Sequence, residues 1–174
     1  MRVDRIKELF RKYYAKYAIV EWERLTKHAY HRLEFDTTLH FLKKYHPRKG
    51  LVLDAGGGPG RYTIELAKLG YDVILLDLTP KLLEIAREQI EKAKVESKVK
   101  QTIEGSVDNL SMFEENTFDA VICLGGPLCH LVQKKQRQKA ADELVRVAKD
   151  NAPIFVSVIG RLGCIDEYNR LPVA

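Results

Sequence analysis

The chain has 174 residues, 45% hydrophobic and 30% charged, and its 29 Lys and Arg exceed its 24 Asp and Glu to give a net charge of +5 at pH 7. A chain of this length can bury one sizeable hydrophobic core, and this composition excludes an intrinsically disordered protein. The 11 Gly and six Pro are scattered without a period, which also excludes a collagen-like or low-complexity chain.

The first 46 residues are predicted to form a helical cap. Apolar and aromatic side chains recur every three or four positions over residues 4–19, with Lys and Arg between them, which is typical of an amphipathic helix. A second helix is predicted from residue 21 to residue 45, before the breaker at Pro47. Its expected apolar face consists of Trp22, Leu25, Ala29, Leu33, Leu39 and Leu42.

From residue 50 onward, short apolar segments alternate with helical ones, so residues 47–174 are predicted to form one ligand-binding domain. Thr79 and Pro80 favour a helix start, because Thr is a common cap and Pro is tolerated in the first turn. The alternation indicates βαβ units, and therefore an α/β fold with a parallel sheet. Strands are predicted at 51–54, 71–77, 98–103, 118–124 and 153–159, and helices at 61–69, 80–93 and 133–149.

A glycine-rich turn joins the first predicted strand to its helix. Gly56, Gly58 and Gly60 form a G-x-G-x-G pattern, and glycines allow a sharp turn and a close approach of a ligand to the backbone. A dinucleotide fingerprint needs its third glycine at position 61, which is Arg. A P-loop is excluded because no Gly-Lys-Ser/Thr follows. A ligand that lacks a pyrophosphate therefore fits this turn better than NAD.

Two acidic residues end the neighbouring strands. Asp77 lies 21 residues beyond Gly56, where a carboxylate can accept both hydroxyls of an adenosine ribose; the alternative is a solvent-facing turn residue. Asp54 ends the first strand at the turn. If its carboxylate is half-buried there, it needs donors from the loop N–H groups or from a ligand amine.

These features together resemble the class I S-adenosylmethionine-dependent methyltransferases, of the type that acts on small molecules. The resemblance covers about residues 45–160. It implies a Rossmann-like, doubly wound and mainly parallel α/β sheet under an N-terminal helical cap, with S-adenosylmethionine as cofactor. The motifs that carry it are Val-Leu-Asp at 52–54, the glycines of 56–60, Leu-Leu-Asp at 75–77, residues 105–110 with Phe-Asp at 118–119, and Leu-Gly-Gly-Pro-Leu at 124–128.

The resemblance also implies a role for each matching position. The family commonly has Gly-Asp-Ala after the third strand, whereas this chain has Gly105-Ser106-Val107. The adenine amino group is then bound by Ser106, reached by Asp108, or not contacted. The implied cofactor contacts are Asp54, Ala55, Gly56, Gly58 and Gly60 at the methionine part, Asp77 at the ribose, Leu78, Ser106 and Val107 at the adenine, Leu124 and Gly125 at the sulfonium, and Tyr17 from the cap.

Methyl transfer from a sulfonium is an in-line displacement, so correct alignment can supply much of the rate without a catalytic triad. His130 is the candidate base if the acceptor is a hydroxyl or an acid; the alternative is a helix-start or surface histidine. Four residues of the cap could contact the acceptor or simply pack. They are Tyr14, Tyr17, Trp22 and His31.

The acceptor is expected to be a small molecule. Base methylation in this superfamily is marked by Asn or Asp before Pro-Pro and an aromatic residue, and residues 124–128 lack that pattern. Residues 1–50 hold 13 Lys and Arg against six Asp and Glu, but the two signs alternate at helical spacing, which is more typical of a solvated helix face than of a nucleic-acid interface. Two readings compete with the methyltransferase: a non-catalytic S-adenosylmethionine-binding or regulatory module, and an NAD-linked oxidoreductase, which Arg61 disfavours.

Composition favours a cytoplasmic protein without a membrane partner. The three cysteines, Cys123, Cys129 and Cys164, form no C-x-x-C pair and do not suggest a disulfide scaffold. The charged N-terminus lacks the apolar segment of a signal peptide, and no apolar run approaches the ~18 residues of a membrane span. His28, His31 and His40 lack the spacing of a metal site, so no metal is expected.

The C-terminal end of the chain departs from the family pattern. Family members usually have seven strands in the order 3-2-1-4-5-7-6, but only residues 161–174 follow the fifth predicted strand. Strands six and seven are therefore expected to be missing, which leaves strand five at an edge. The possible explanations are a truncated product, a homodimer that covers the edge, or a remnant that no longer catalyses.

Overall fold

The structure is a computed structural model that describes residues 3–45, 47 and 49–160. Three helices precede a sheet whose strands alternate with further helices. The elements are α1 (Val3–Lys16), α2 (Ala18–Lys27), α3 (Ala29–Tyr45), β1 (Leu51–Ala55), α4 (Arg61–Lys68), β2 (Asp72–Asp77), α5 (Pro80–Lys92), β3 (Val99–Glu104), β4 (Ala120–Cys123), a 3₁₀ helix (Pro127–His130), α6 (Lys134–Val147) and β5 (Ile154–Val156).

The five strands form one parallel sheet in the order β3-β2-β1-β4-β5. This arrangement confirms the predicted Rossmann-like α/β fold. In the register, Asp54 of β1 lies beside Leu75 of β2 and Ile122 of β4, so the carboxyl ends of these central strands meet at one edge of the sheet. Parallel α/β sheets bind their ligands at this edge.

Helices cover both faces of the sheet, which explains why β1, β2 and β4 read as nearly continuous apolar segments. On one face, Val52 and Leu75 pack in a cluster with Leu66 of α4 and Leu83 of α5. On the other face, residues of β1 and β4 pack in a second cluster with Leu144 and other residues of α6. The sheet is therefore doubly wound, as the sequence predicts.

The helical cap differs from its prediction at two points. The break between its first two helices falls at residue 17, after Lys16 and before Ala18, and not at residue 20. A single helix was expected over residues 21–45, but His28 is extended (φ −121°, ψ 147°) and separates α2 from α3. Thr26 and His28 are weak helix formers, which favours a break here. The break redirects α3 so that Phe35 and Leu42 are buried, whereas Leu33, assigned to the apolar face, is 66% exposed.

β5 is shorter than the predicted strand 153–159 and lies at the edge of the sheet that the structure describes. Val158 and Ile159, beyond its end, are exposed. Cys164 and the other residues of 161–174 lie outside the described part of the chain. Pairing of this edge with a second copy stays a prediction.

Candidate active site

A cavity opens to solvent at the carboxyl ends of the central strands, beneath α1 and α2. Its floor is formed by the loops that follow β1, β2, β3 and β4, and its cover is formed by the cap. The lining includes Gly56, Gly57, Gly58, Asp77, Leu78, Thr79, Ser106, Val107, Leu124, Gly125 and His130 from the floor, and Lys7, Phe10, Tyr14, Glu21 and Arg24 from the cap.

The glycine loop forms one wall of the cavity and turns sharply over the end of β1. The N–H of Gly56 donates to the carbonyl of Leu76 at 2.7 Å. Gly58 has φ +56°, in the left-handed region that glycine tolerates best. A Cβ at position 57 would lie 2.4 Å from the carboxyl carbon of Asp54, so the loop can lie this close only as glycine.

Asp77 is 8% exposed and lies where the loop meets the end of β2. Its Oδ2 accepts the N–H of Gly58 at 2.9 Å, and its Oδ1 accepts the N–H of Thr79 at 2.8 Å. Burial raises its pKa to about 6, although these two N–H groups oppose the rise. Each carboxylate oxygen can accept a further hydrogen bond, so Asp77 both holds the loop and can accept the hydroxyls of a ligand.

Asp54 lies behind the loop and does not line the cavity. It is 1% exposed, and the hydroxyl of Thr63 donates to its Oδ2 at 2.6 Å. Its Oδ1 is buried and has no hydrogen-bond partner among the described residues. Burial raises the pKa of Asp54 to about 7, and the nearby charge of Asp77 adds to the rise. Asp54 therefore supports the loop from beneath, and its direct contact with the cofactor stays a prediction.

Most of the predicted contacts converge on the cavity, but four do not. Gly56, Gly58, Asp77, Leu78, Ser106, Val107, Leu124, Gly125 and His130 line it, whereas Asp54, Ala55, Gly60 and Tyr17 do not. Tyr17 lies outside both neighbouring helices (φ −106°, ψ 20°), and its ring packs against that of Tyr13 with centroids 4.9 Å apart. The cap tyrosine that lines the cavity is Tyr14, which lies three residues earlier on α1.

Polar side chains on one face of α1 attach the cap to the ends of β2 and β3. Lys7 Nζ lies 2.7 Å from Oδ1 of Asp108. Arg11 donates from Nε to the carbonyl of Leu78 at 3.1 Å, and its Nη2 lies 2.6 Å from the carboxylate of Glu104. Since residues 7 and 11 are one helical turn apart, these contacts fix the orientation of α1 over the cavity.

Ser106 and Asp108, the two candidates for contact with the adenine amino group, differ in their position relative to the cavity. Ser106 lines the cavity and its hydroxyl donates to Asp108. Asp108 is 7% exposed, is paired with Lys7 and does not line the cavity. Of the alternatives left open by the sequence, the structure places Ser106 at the cavity and Asp108 away from it.

His130 and Tyr14 form a pair in the upper part of the cavity. Tyr14 Oη lies 2.8 Å from His130 Nε2, and the ring of Phe10 packs on the imidazole with centroids 4.3 Å apart. Burial lowers the pKa of His130, although the charge of Glu21 opposes this effect. Burial also raises the pKa of Tyr14 to about 12. The pair therefore presents a neutral imidazole beside a protonated phenol.

Glu21 and Arg24 line the cavity, and sequence reasoning missed both. Arg24 Nε lies 2.8 Å from Oε1 of Glu21, and its Nη1 lies 3.4 Å from Oε2 of Glu34. Arg24 Nη2 makes no hydrogen bond within the described part of the chain, and it lies 3.4 Å from where a Cβ on Gly125 would be. The sequence did contain one indication for Glu21: it is a charged residue on the same face of α2 as Ala18 and Leu25, which are buried.

Arg61, the residue that replaces the third glycine of a dinucleotide fingerprint, connects the loop to the cap. Its guanidinium lies 3.4 Å from the centroid of the Trp22 ring, and its Nη2 donates to the carbonyl of Trp22 at 2.6 Å. Burial lowers the pKa of Arg61. Its Nε is buried without a hydrogen-bond partner among the described residues.

The described ranges contain no group of three or more His, Cys, Asp or Glu side chains arranged to hold a metal ion. Within the same ranges, every helix is too short or too polar to cross a bilayer.

Comparison with known proteins matches this fold and site to one family. The family described as "Methyltransferase domain" matches residues 52–151. Glycine/sarcosine N-methyltransferases from Parasynechococcus marenigrum and Aphanothece halophytica are 32% and 28% identical over 78% and 79% of this chain. A crystal structure from Methanococcus maripaludis, described as an S-adenosylmethionine-dependent methyltransferase, shares the fold with a TM-score of 0.68, at 22% identity over 83% of this chain and 63% of its own.

The chain belongs to the methyltransferase-domain family with the class I fold, whose cofactor is S-adenosylmethionine. The match confirms the family and the cofactor that the sequence predicted. The alignments span 46% and 51% of the two curated relatives, so this chain corresponds to about half the length of each.

Proposed function

We propose that this chain forms the cofactor-binding and catalytic part of a methyltransferase that transfers a methyl group from S-adenosylmethionine to a small-molecule acceptor. The observation that carries the proposal is the cavity itself. It joins a glycine-rich loop, the carboxylate of Asp77 and a helical cover at the ligand-binding edge of a parallel sheet.

The residues present fit the cofactor. Asp77 retains acceptor sites for the ribose hydroxyls, and Leu78 lies beside it for the adenine. Arg24 Nη2 has no hydrogen-bond partner among the described residues and lies near Gly125, so it suits the carboxylate of the methionine part. When bound, S-adenosylmethionine supplies a methyl group on a positively charged sulfur, which is already activated toward attack.

The protein itself contributes alignment and shielding. α1 and α2 cover the cavity and reduce the access of water to it. His130 is neutral beside Tyr14 and is able to accept a proton from a hydroxyl or acid acceptor. The relatives described as glycine/sarcosine N-methyltransferases support a small acceptor over a macromolecule.

Two measurements test the proposal. Calorimetry should show binding of S-adenosylmethionine and S-adenosylhomocysteine, and Gly58→Val should abolish both because its side chain enters the cavity. An assay with methyl-labelled cofactor and the small-molecule fraction of a cell extract should then show label transfer. Binding without transfer would support the non-catalytic binding module instead, and the absence of binding would contradict both.

A further inference from the structure

Glu21 brings a carboxylate into the part of the cavity next to the predicted sulfonium side. It lines the cavity, and its Oε1 lies 2.8 Å from Arg24 Nε. Its Oε2 makes no hydrogen bond to any residue that the structure describes. Arg24 therefore orients the Glu21 carboxylate and leaves one of its oxygens available to a ligand.

The influence of Glu21 on its neighbours shows where its charge acts. After burial, its charge is the largest cause that raises the pKa of Tyr14, and it opposes the lowering of the His130 pKa by burial. It also contributes to the raised pKa of Asp77. Glu21 lines the same cavity as Asp77, Tyr14 and His130, and its charge acts on all three.

This position discriminates between acceptor types. A hydroxyl and a neutral amine each donate a charge-assisted hydrogen bond to the Glu21 carboxylate, whereas an acceptor that arrives as an ammonium is also attracted by the opposite charge. The charge of the cavity next to Tyr14 and His130 therefore favours a nitrogen acceptor.

We infer that the methyl acceptor is a small primary or secondary amine, and that Glu21 Oε2 receives the N–H of that amine. The inference rests on the proposed function and adds the acceptor class to it. In the reaction, the amine attacks as its free base: a C–N bond forms while the S–C bond breaks, and the bond pair goes to the sulfur as the thioether leaves. The proton of the resulting ammonium goes to water when the product is released.

The test measures binding to the protein loaded with S-adenosylhomocysteine, so it does not depend on turnover. The amine probes are glycine, sarcosine and ethanolamine. Glycolate is the comparison compound, because it has a hydroxyl where glycine has the amine. We expect glycine to bind more tightly than glycolate. For every amine that the unmodified protein binds, Glu21→Gln should weaken the affinity by about tenfold or more. Gln retains an oxygen for Arg24 Nε, so the cap should keep its structure.

Glu23→Gln is the matched control, because Glu23 lies on the same helix, is exposed and pairs with Lys27 at 3.7 Å. It should leave the affinity for amines unchanged. Equal affinity for glycine and glycolate, no binding of any of the three amines, or unchanged amine binding in Glu21→Gln would each overturn the inference.

A second comparison separates the acceptor from the cofactor. If Glu21 faces the sulfonium instead, Glu21→Gln will weaken binding of S-adenosylmethionine but not of the neutral thioether S-adenosylhomocysteine, and the inference is then wrong. If the inference holds, the ratio of these two affinities stays as in the unmodified protein. Failure of the unmodified protein to bind S-adenosylhomocysteine would contradict the proposed function itself, which is a different result from a loss of amine binding.

Discussion

The carboxylate of Asp77 accepts the backbone N–H of Gly58 at 2.9 Å, so the acid expected at the ribose also fixes the glycine loop. Because a second N–H, that of Thr79, donates to the other oxygen, both carboxylate oxygens have structural partners. A substitution here therefore changes ligand binding and loop stability together, and the two effects have to be measured separately.

Asp77→Ala should weaken the binding of S-adenosylhomocysteine by about tenfold or more, because it deletes the acceptors for the ribose hydroxyls. It should also lower the free energy of unfolding by about 1–3 kcal/mol, since two buried N–H groups lose their acceptor. Calorimetry and urea denaturation measure the two effects. Asp72→Asn, at the exposed start of the same strand, is the control. Unchanged affinity in Asp77→Ala would show that the ribose is held elsewhere.

Stability should decline as the pH rises across the titration of the two buried acids. Burial raises the pKa of Asp54 to about 7 and that of Asp77 to about 6, whereas an unfolded Asp titrates near ~4. Between these values the folded state binds more protons than the unfolded state. The free energy of unfolding should therefore fall from about pH 4 to about pH 7 and then become level.

Asp54→Asn should reduce that decline, because Asn keeps an acceptor for Thr63 but does not ionise. Urea denaturation at several pH values across this range measures the slope. Asp72→Asn should leave the slope of this interval as it is, because hydrogen bonding to Lys100 and Lys98 lowers the pKa of Asp72. The same slope in Asp54→Asn and the unmodified protein would contradict the assignment.

Two glycines of the turn, Gly57 and Gly58, should differ in what substitution does to the protein. A Cβ at Gly58 meets no protein atom closer than Leu82 Cδ1 at 3.8 Å, whereas one at Gly57 meets the Asp54 carboxyl at 2.4 Å. Gly58→Val should thus abolish cofactor binding at a stability cost of about 1–2 kcal/mol for its left-handed backbone. Gly57→Ala should lower the melting temperature more than Gly58→Val does, because its Cβ collides with the Asp54 carboxyl group.

Gly70→Val provides the matched control for backbone strain, because Gly70 has φ +97° and no atom of the described residues lies within 4 Å of its Cβ position. It should cost stability comparable to Gly58→Val and leave cofactor affinity intact. Normal affinity in Gly58→Val would mean that the loop is merely a turn.

Removing the Lys7–Asp108 pair should loosen α1. The two groups lie 2.7 Å apart and are largely shielded from solvent, with side chains 25% and 9% exposed. Lys7→Met should therefore increase amide hydrogen exchange in α1 and accelerate the release of S-adenosylhomocysteine. Lys12→Met, which removes an exposed pair with Glu8, should do neither. Equal exchange in the two variants would show that the pair does not hold the helix.

The sequence predicted the floor of the site better than its cover. The floor consists of local features: strands set by apolar runs, a turn set by the glycine spacing at 56–60, and Asp77 set by its position in a βα unit. Every strand except β5 lies within about two residues of its predicted bounds. The cover depends on contacts between distant segments. Tyr14 meets His130 across 116 positions, and no local pattern records that meeting. Glu21 and Arg24 were missed for the same reason. The end of α1 at Lys16 is likewise not visible in the spacing of the tyrosines, which predicts a helix through residue 19.

Trp22 is the one tryptophan of the chain, and the guanidinium of Arg61 lies directly over its ring at the start of α4. Its fluorescence therefore reports from a single place, the junction of the cap with the ligand-binding loop. A ligand that shifts the loop will change the emission without any added label. The protein thus carries its own optical probe for titrating ligands and for following the motion of the cover in rapid mixing.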